Sequence, residues 1–407
     1  MNNKAHKQRI EDTIDRYQAE LKEIAVYIAQ NPELGNEEFK ASARLKQSLL
    51  AHGFEVEAPV LGIQTAFIGT FRSDKPGPTI ALLCEYDALP EIGHACGHHL
   101  ICTMSLGAAI GLQETVRELG GTLRVYGTPA EETRGAKVTM ADAGLFDDCD
   151  FALMAHPYYA FQKSGSALAM DAIQYEFYGK ASHAAASPEA GINALDAVLQ
   201  LFNAINALRQ QTRTDARIHG IINQGGVAAN IIPDYASAQF YIRSADRPYT
   251  NELVAKVRRI AEGAALQTGC ELKVSNYEYS YDELITNETL SETFTRNLIE
   301  AGVDPGIIQE PENGGSADVG NVSTRCPAIH PYIQVVKERH ELHSIGFRDL
   351  AQQDTAYEAM IFGAKMLAGT VCDTLTVPGL LERVRREFLE LPSHSSALIP
   401  FSGSNVQ

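Results

Sequence analysis

The sequence predicts an α/β protein: a larger domain with a mostly parallel sheet and helices on both faces, and an inserted ferredoxin-like α+β domain. Three observations lead to this prediction. Short apolar runs alternate with helical patterns over roughly the first 166 residues, which is typical of βαβ units. From there the order of elements becomes βαββαβ, which suits a ferredoxin-like domain. The length of 407 residues also exceeds what one hydrophobic core usually serves.

The first part of the chain supplies the helices and strands of the larger domain. Apolar residues recur every three or four positions from Ile10 to Gln30, which predicts one amphipathic helix, and a second helix is predicted at about Asn36 to His52. Apolar runs bounded by polar or Gly-rich turns predict strands, with two helices between them: strands Thr79–Cys84, Thr122–Gly127 and Phe151–Ala155, and helices Leu100–Leu119 and Lys137–Ala143.

The inserted domain follows, and its strands and helices are predicted from the same kinds of apolar pattern. Its predicted elements are strand Ala167–Gly179, helix Glu189–Arg209, strands Ile218–Asn223 and Ser237–Arg243, helix Asn251–Gln267 and strand Glu271–Tyr277. One face of the first helix is predicted to carry Ile192, Leu195, Leu199, Phe202, Ile205 and Leu208. Helices and apolar strands resume after Thr286, so we expect a discontinuous larger domain of residues 1–166 and 286–407 around an insertion of residues 167–285.

Charge and composition exclude several classes of function. Lys plus Arg number 34 against 51 Asp plus Glu, a net charge of −17, which repels phosphate backbones and anionic lipid. We therefore expect neither a nucleic-acid nor a membrane partner, and no apolar run approaches the length of a membrane span. The seven cysteines are odd in number and scattered, and the N-terminus has no signal-peptide pattern. A cytoplasmic protein with free thiols is the expectation.

Polar clusters follow the predicted strands at their carboxyl ends, where open α/β sheets build their sites. Glu85–Glu91 and His94–His99 follow the first strand, Thr128–Thr133 follows the second, and His156-Pro157 follows the third. Together they offer thiolate, imidazole and carboxylate groups, which are ligands of divalent transition metals. The sequence thus predicts a metal site at this edge of the sheet.

The adjacent residues Glu131 and Glu132 indicate a reaction. If Glu132 binds metal, Glu131 is held beside the attacking water and can take its proton while the metal polarises a carbonyl. This pattern predicts metal-assisted amide hydrolysis. A zinc deaminase would require H-x-E and P-C-x-x-C motifs, which the chain lacks.

Separate motifs now support a family resemblance. They are Glu85–Pro90 with His94–His98, Thr128–Glu132, Gly179–Ala185 and Asn230–Asp234. In this order they resemble the M20 metallopeptidase family, and within it the amidohydrolase branch that includes indole-acetyl-amino-acid hydrolases. The stretch Gly315–Asn321 is similar to the subgroup of aminobenzoyl-glutamate hydrolases and β-alanyl dipeptidases. The similarity extends from about Ile10 to Leu367.

The resemblance implies a two-metal catalytic domain, an inserted lid domain that forms a homodimer, and hydrolysis of N-acyl amino acids, dipeptides or aminobenzoyl-glutamate-like amides. The metal ligands it implies are Cys96, His98, Glu132, His156 and His343. Glu131 is implied as general base, and Asp87 as a residue that orients a ligand histidine. Cys96 would replace a bridging aspartate, and two divalent ions, zinc or manganese, are implied. His340 is the alternative to His343.

In the lid, the resemblance implies substrate contacts from His183, often across the dimer, and from Asn230. Arg243 ends an alternating strand, where it is suited to pair with a substrate carboxylate. The alternatives are that Asn230 is a turn residue and that Arg243 pairs with a surface acid. His99 stands where the branch usually has Asp or Asn, which leaves open whether His98 or His99 binds the first metal. Cys102 is expected in the core.

Two other functions remain open at this point. One is a cysteine amidase that uses Cys96 with a nearby histidine as base, which would leave Glu131 and His156 without a role. The other is a non-catalytic binding protein on the same fold. The sequence does not decide between amide substrates.

Overall fold

The computed structural model describes residues 2–311 and 314–391, which form two compact units. Among the described residues, the large unit comprises residues 2–166, 284–311 and 321–391, and the inserted unit comprises residues 167–283 and 314–320. The last part of the predicted larger domain, residues 392–407, lies outside the described residues.

The N-terminal part of the large unit alternates helices and strands. Its elements are α1 Asn3–Arg16, α2 Gln18–Gln30, α3 Phe39–Ala51, β1 Glu55–Glu57, β2 Phe67–Arg72, β3 Thr79–Cys84, α4 His98–Leu119, β4 Thr122–Gly127, α5 Ala136–Asp142, β5 Phe151–Leu153 and β6 His156–Tyr158. The prediction of one helix over Ile10–Gln30 is wrong. The backbone leaves the helical region at Tyr17 (φ −100°, ψ 6°), whose ring packs edge-on against His52 at 4.6 Å between centroids.

The inserted unit has the predicted βαββαβ order. Its elements are β7 Ala169–Tyr178, α6 Ala194–Leu208, β8 Arg217–Gln224, β9 Tyr235–Ser244, α7 Arg247–Thr268 and β10 Glu271–Asn276. The four strands form an antiparallel sheet in the order β10-β7-β9-β8. Alternate strand residues such as Phe177 and Phe240 form a buried core with helix residues such as Leu201 and Leu253.

The predicted helix Glu189–Arg209 begins later and faces the core differently. Asn193 ends the preceding turn, and its side chain accepts the N–H groups of Leu195 and Asp196, so the α-helix begins at Ala194. The core-facing side is Ala194, Ala197, Val198, Leu201 and Ile205. Leu199, which the sequence pattern places on that face, is 44% exposed. The helix carries apolar residues on more than one side, which makes the sequence pattern ambiguous.

The C-terminal elements are α8 Glu288–Glu300, α9 Val319–Ser323, β11 Ala328–Ile329, β12 Tyr332–Gln334, α10 Ile345–Ala351, α11 Asp354–Thr376 and α12 Leu380–Glu390. The main sheet of the large unit has the order β1-β2-β4-β3-β5-β11. The four strands from β4 to β11 are parallel and the β1 and β2 pairings are antiparallel. The predicted α/β class with a mostly parallel sheet is confirmed, and α4 packs against β3 and β4.

The third predicted strand is shorter than expected. Phe151–Ala155 forms a strand only to Leu153, and His156 begins β6, which pairs with β12 in a separate two-stranded parallel sheet. Pro331, which has no N–H to donate, lies between β11 and β12 at this step. His156 is therefore the first residue of a second short strand pair.

In the part of the chain that the structure describes, none of the helices has by itself the length and hydropathy of a membrane span. Within the same residues, α11 and α12 reach that length and hydropathy when taken as a pair, and the pair is bent by 98°.

Candidate metal centre

Loops at the carboxyl ends of β3 and β4 bring the candidate ligands of the large unit together with the start of β6. Cys96 lies in the loop between β3 and α4, and His98 is the first residue of α4. Gly97 between them has φ +83°, and a Cβ there would lie 2.5 Å from Cγ of Pro157. Only glycine fits both the backbone conformation and this close approach.

The first group of donor atoms is buried and comprises Cys96, His98 and His156, which lie within 4.8 Å of one another. The Cys96 Sγ atom is 3.5 Å from Nε2 of His156. The Nδ1 atom of His156 is 2.8 Å from the Pro157 carbonyl, which fixes the tautomer and leaves Nε2 as the ligand atom. Burial lowers the pKa of His156 to about 4, so the ring is neutral, as a metal ligand must be.

A second group shares the same sulfur atom and comprises Cys96, Glu132 and His343. Nε2 of His343 is 3.1 Å from Oε1 of Glu132. His343 adopts a left-handed backbone conformation, φ +62°, and its N–H donates to the Ala95 carbonyl at 3.0 Å. Its side chain is half exposed, whereas Cys96 is buried.

The two ring nitrogens of His98 have different surroundings: one contacts Asp87, and the other faces acidic groups. Its Nδ1 atom is 3.0 Å from Oδ1 of Asp87. Its Nε2 atom is buried and has no hydrogen-bond partner among the described residues. It lies 3.6, 3.8 and 3.9 Å from carboxylate oxygens of Glu85, Glu132 and Glu131, respectively. A buried imidazole nitrogen aimed at carboxylates and a thiol fits a divalent cation.

Asp87 also orders the loop that carries the glutamates. Its Oδ2 atom accepts the N–H of Glu132 at 3.0 Å while Oδ1 faces His98. Burial opposes ionisation of the Asp87 carboxyl. The charge of His98 and its hydrogen bond with Asp87 outweigh the effect of burial, so the pKa of Asp87 is lowered. The structure thus places Asp87 between two candidate ligands.

Sequence reasoning missed Glu85 and Lys137 as members of this cluster. Nζ of Lys137 is 2.6 Å from Oε1 of Glu85, and both side chains are buried. Glu85 also forms a possible donor group with His98 and Glu131. Glu85 lies in one of the polar motifs, but the pairing with Lys137 joins positions far apart in the chain, and no local pattern indicates it.

The structure separates His98 from His99. Nε2 of His99 is 3.1 Å from the Ala351 carbonyl, and burial lowers its pKa to about 4. His99 belongs to none of the donor groups formed by the described residues, and neither does His340, whose Nε2 atom is 3.5 Å from Glu338. Cys102 is buried as expected, with its Sγ 3.5 Å from the His99 carbonyl.

The inserted unit brings two of its three candidates next to each other. Ala184, adjacent to His183, donates its N–H to the Asn230 carbonyl at 3.0 Å. His183 and Asn230 are both exposed. Arg243 is partly buried near the end of β9, with its guanidinium 5.1 Å from the ring centre of Tyr241. Asn230 precedes an isolated bridge between His183 and Ile231, so it also has the position of a turn residue.

Comparison with known proteins identifies the family. The chain is 36% identical to the Xaa-Arg dipeptidase of Mus musculus, over 94% of this chain and 92% of that protein. The chain belongs to the M20 peptidase family. It is also 29% identical to a component of the p-aminobenzoyl-glutamate hydrolase of Escherichia coli K12, over 93% of this chain and 94% of that protein. The family description "Peptidase dimerisation domain" matches residues 170–268.

A solved structure supports the fold of this M20 hydrolase. The Bacillus subtilis YXEP protein, described as a dinuclear metal binding peptidase from the M20 family, aligns with a TM-score of 0.69 and 20% identity, covering 89% of this chain and 99% of that chain. The resemblance inferred from the motifs is confirmed, and the chain is a hydrolase of this family.

Proposed function

We propose that this M20 hydrolase is a two-metal amidohydrolase or dipeptidase whose catalytic centre is the donor cluster around Cys96. The observation that carries the proposal is that two donor groups share one sulfur atom: Cys96 with His98 and His156, and Cys96 with Glu132 and His343. If two divalent ions, zinc or manganese, were bound here, a thiolate common to both groups would be available as a ligand to each of them. Such ions would polarise the scissile carbonyl and promote ionisation of the attacking water.

Glu131 is the proposed general base. Its carboxylate lies 3.9 Å from Nε2 of His98. Neither Cys96 donor group contains it, so it is not needed to complete them. A carboxylate in this position accepts the proton of the attacking water and returns it to the leaving amine. Asp87 orients both His98 and the loop of Glu132.

The inserted unit is proposed as the substrate-binding and dimerisation domain. Nδ1 of His183 accepts the N–H groups of Ala185 and Ala186 at 3.2 and 3.1 Å. The ring is therefore the tautomer with the proton on Nε2, and this N–H is suited to donate to a substrate carbonyl oxygen. Asn230 and Arg243 are proposed as contacts to the polar ends of the substrate. The match to a dimerisation domain and the edge position of β8, with Ile221 61% exposed, support a homodimer.

The proposed substrates are dipeptides, N-acyl amino acids and aminobenzoyl-glutamate-like amides. The names of the two relatives, an Xaa-Arg dipeptidase and an aminobenzoyl-glutamate hydrolase, support this range. A cytoplasmic location is proposed because all seven cysteines, which lie within the described residues, are free thiols.

The test combines metal analysis with a substrate screen. Protein purified without chelator and loaded with zinc or manganese is assayed on dipeptides with C-terminal arginine, on aminobenzoyl-glutamate and on N-acyl amino acids. We expect up to two ions per chain and hydrolysis that stops after chelation and returns with metal. Full activity after exhaustive chelation, abolished by a thiol alkylator, would instead establish the cysteine amidase. Bound amide without turnover would establish the binding protein.

A further inference from the structure

One buried carboxylate contacts the loop of residues 128–133, which carries Glu131 and Glu132. It has no role in the chemistry described above. Glu38 precedes α3, and its side chain is fully buried. It does not cap that helix, although it occupies the N-cap position. Its Oε1 atom instead accepts the N–H of Ala130 at 2.8 Å, 92 residues further along the chain.

Ala130 is the residue directly before Glu131. It adopts a left-handed backbone conformation, φ +65°, which residues with a side chain rarely adopt and which the surroundings must stabilise. This turn determines the direction in which the chain enters Glu131 and Glu132. The N–H that Glu38 accepts is the amide group of the turn itself.

Other contacts fix the same loop at every second residue. Thr128 donates both its N–H and its hydroxyl to the Cys84 carbonyl, each at 2.8 Å. The N–H of Glu132 donates to Asp87. Glu38 provides the anchor between them, at Ala130, so it is the anchor immediately before the proposed general base.

The chain just before Glu38 packs closely on the same turn. A Cβ added to Gly35 would lie 2.6 Å from Oγ1 of Thr133 and 2.9 Å from Cβ of Ala130. The Glu33 carbonyl accepts the N–H of Ala88, the neighbour of Asp87, at 2.8 Å. Burial raises the pKa of the Glu38 carboxyl to about 7, and the charge of Asp87 adds to this. The Glu38 carboxyl is thus an ionisable group in surroundings that oppose its ionisation, in contact with this loop.

We propose that Glu38 is a positioning residue for catalysis, which holds the left-handed turn at Ala130 so that Glu131 and Glu132 point into the donor cluster. The proposal rests on the function proposed above for these two glutamates. It requires a hydrogen-bond acceptor at position 38 and no proton transfer by Glu38.

The experiment compares Glu38→Met, which keeps the length of the side chain and removes the acceptor, with Glu38→Gln, which keeps an acceptor oxygen. The matched control is Glu37→Met, at the neighbouring exposed glutamate. For Glu38→Met we expect kcat to fall about 10–100-fold, the size of effect that a small misplacement of a catalytic group produces. KM should stay within about threefold of wild type, and so should bound metal, because Asp87 still holds the N–H of Glu132 in this variant. Glu38→Gln and Glu37→Met should stay within about threefold in kcat.

A second measurement does not depend on turnover. In the metal-free protein, hydrogen exchange of a peptide covering Thr128–Thr133 should become faster in Glu38→Met and remain slow in Glu38→Gln and Glu37→Met. Gly35→Ala, which leaves Glu38 intact and crowds the turn, should also speed exchange and lower kcat. Circular dichroism and thermal unfolding verify that each variant is folded.

Several results would overturn the proposal. They are wild-type kcat in folded Glu38→Met, an equal loss of kcat in Glu38→Gln, or exchange of the loop that is unchanged by removing the acceptor. If the wild-type protein hydrolyses none of the amides, the proposed function fails by itself. The exchange measurement then still decides whether Glu38 holds the turn.

Discussion

The candidate metal ligands of the large unit and the candidate substrate residues of the inserted unit differ in how firmly the chain around them holds them. His98 is buried, and Asp87 fixes its ring while also accepting the N–H of Glu132. His183 and Asn230 are exposed, and their hydrogen bonds described above are with neighbouring backbone. The first region is therefore organised by contacts within one chain, whereas the second leaves its side chains accessible, as the proposed contacts to a substrate or a second copy require.

This contrast predicts two kinds of mutational response. Substitutions in the buried cluster should change metal content, turnover or folding by large factors, because each group there has fixed partners and little solvent to replace them. Substitutions at the exposed candidates should change substrate affinity by small factors and leave the metal site intact.

The largest effect is expected at Glu131. Glu131→Gln keeps the shape and removes the proton acceptor, so kcat should fall about 10²–10⁴-fold with metal content and folding retained. Glu132→Gln removes a charged ligand, so metal and activity should be lost together, and excess metal should restore part of both. Metal analysis beside steady-state kinetics checks this. If Glu131→Gln kept more than about a tenth of the wild-type kcat, we would withdraw the base assignment.

The next largest effect concerns the buried pair of Lys137 and Glu85. Lys137→Met leaves the Glu85 carboxylate buried without its cation, which should lower the free energy of unfolding by about 3–5 kcal/mol. Urea unfolding of the metal-free protein measures it. The control is Lys365→Met, which breaks the more exposed pair with Asp15 and should cost at most about 1 kcal/mol. Equal effects at the two lysines would contradict a special role for burial.

Cys96→Ser should weaken binding at both ion positions at once, because the same sulfur belongs to both donor groups. A hydroxyl is a far poorer ligand than a thiolate near neutral pH, so affinity should fall by more than the roughly 10–100-fold typical of residues that only support a ligand. Cys102→Ala, another buried cysteine, should bind metal normally. Loss of only one ion, measured by titration calorimetry, would show that Cys96 does not bridge.

Local pattern predicted the parts of this structure that depend on neighbours in sequence. Strands Thr79–Cys84 and Thr122–Gly127 have the predicted bounds, because their apolar residues end at turns that stop a strand. The break at Tyr17 was missed because the apolar period continues through it, and packing of Tyr17 on His52 is a tertiary effect. β1 and β2 were also missed.

The candidate site likewise contains residues that the sequence predicted and residues that only the structure reveals. Motifs located Cys96, His98 and the two glutamates, and the structure brings them together. Glu38 and Lys137 could not be found, because their importance lies in contacts with Ala130 and Glu85 from other parts of the chain. The choice between His98 and His99 also needed the structure, since adjacent helix residues point in different directions.

The smallest effect is expected at His183. The Nδ1 atom of His183 accepts two backbone N–H groups, so His183→Ala removes a local turn contact together with the proposed N–H donor toward substrate. One hydrogen bond contributes about 1 kcal/mol, so KM should rise about five- to tenfold with bound metal unchanged and kcat lowered less than in Glu131→Gln. Lys180→Ala, a change at an exposed residue nearby, should leave KM at the wild-type value.

If His183 acts across a dimer, mixing His183→Ala with Glu131→Gln subunits should restore part of the activity, because one of the two active sites then combines an intact Glu131 with an intact His183. Sedimentation that shows a strict monomer with full activity would contradict this arrangement. Loss of metal in His183→Ala would contradict the contrast between the two regions, since it would place an exposed residue of the inserted unit among the groups that hold the ions.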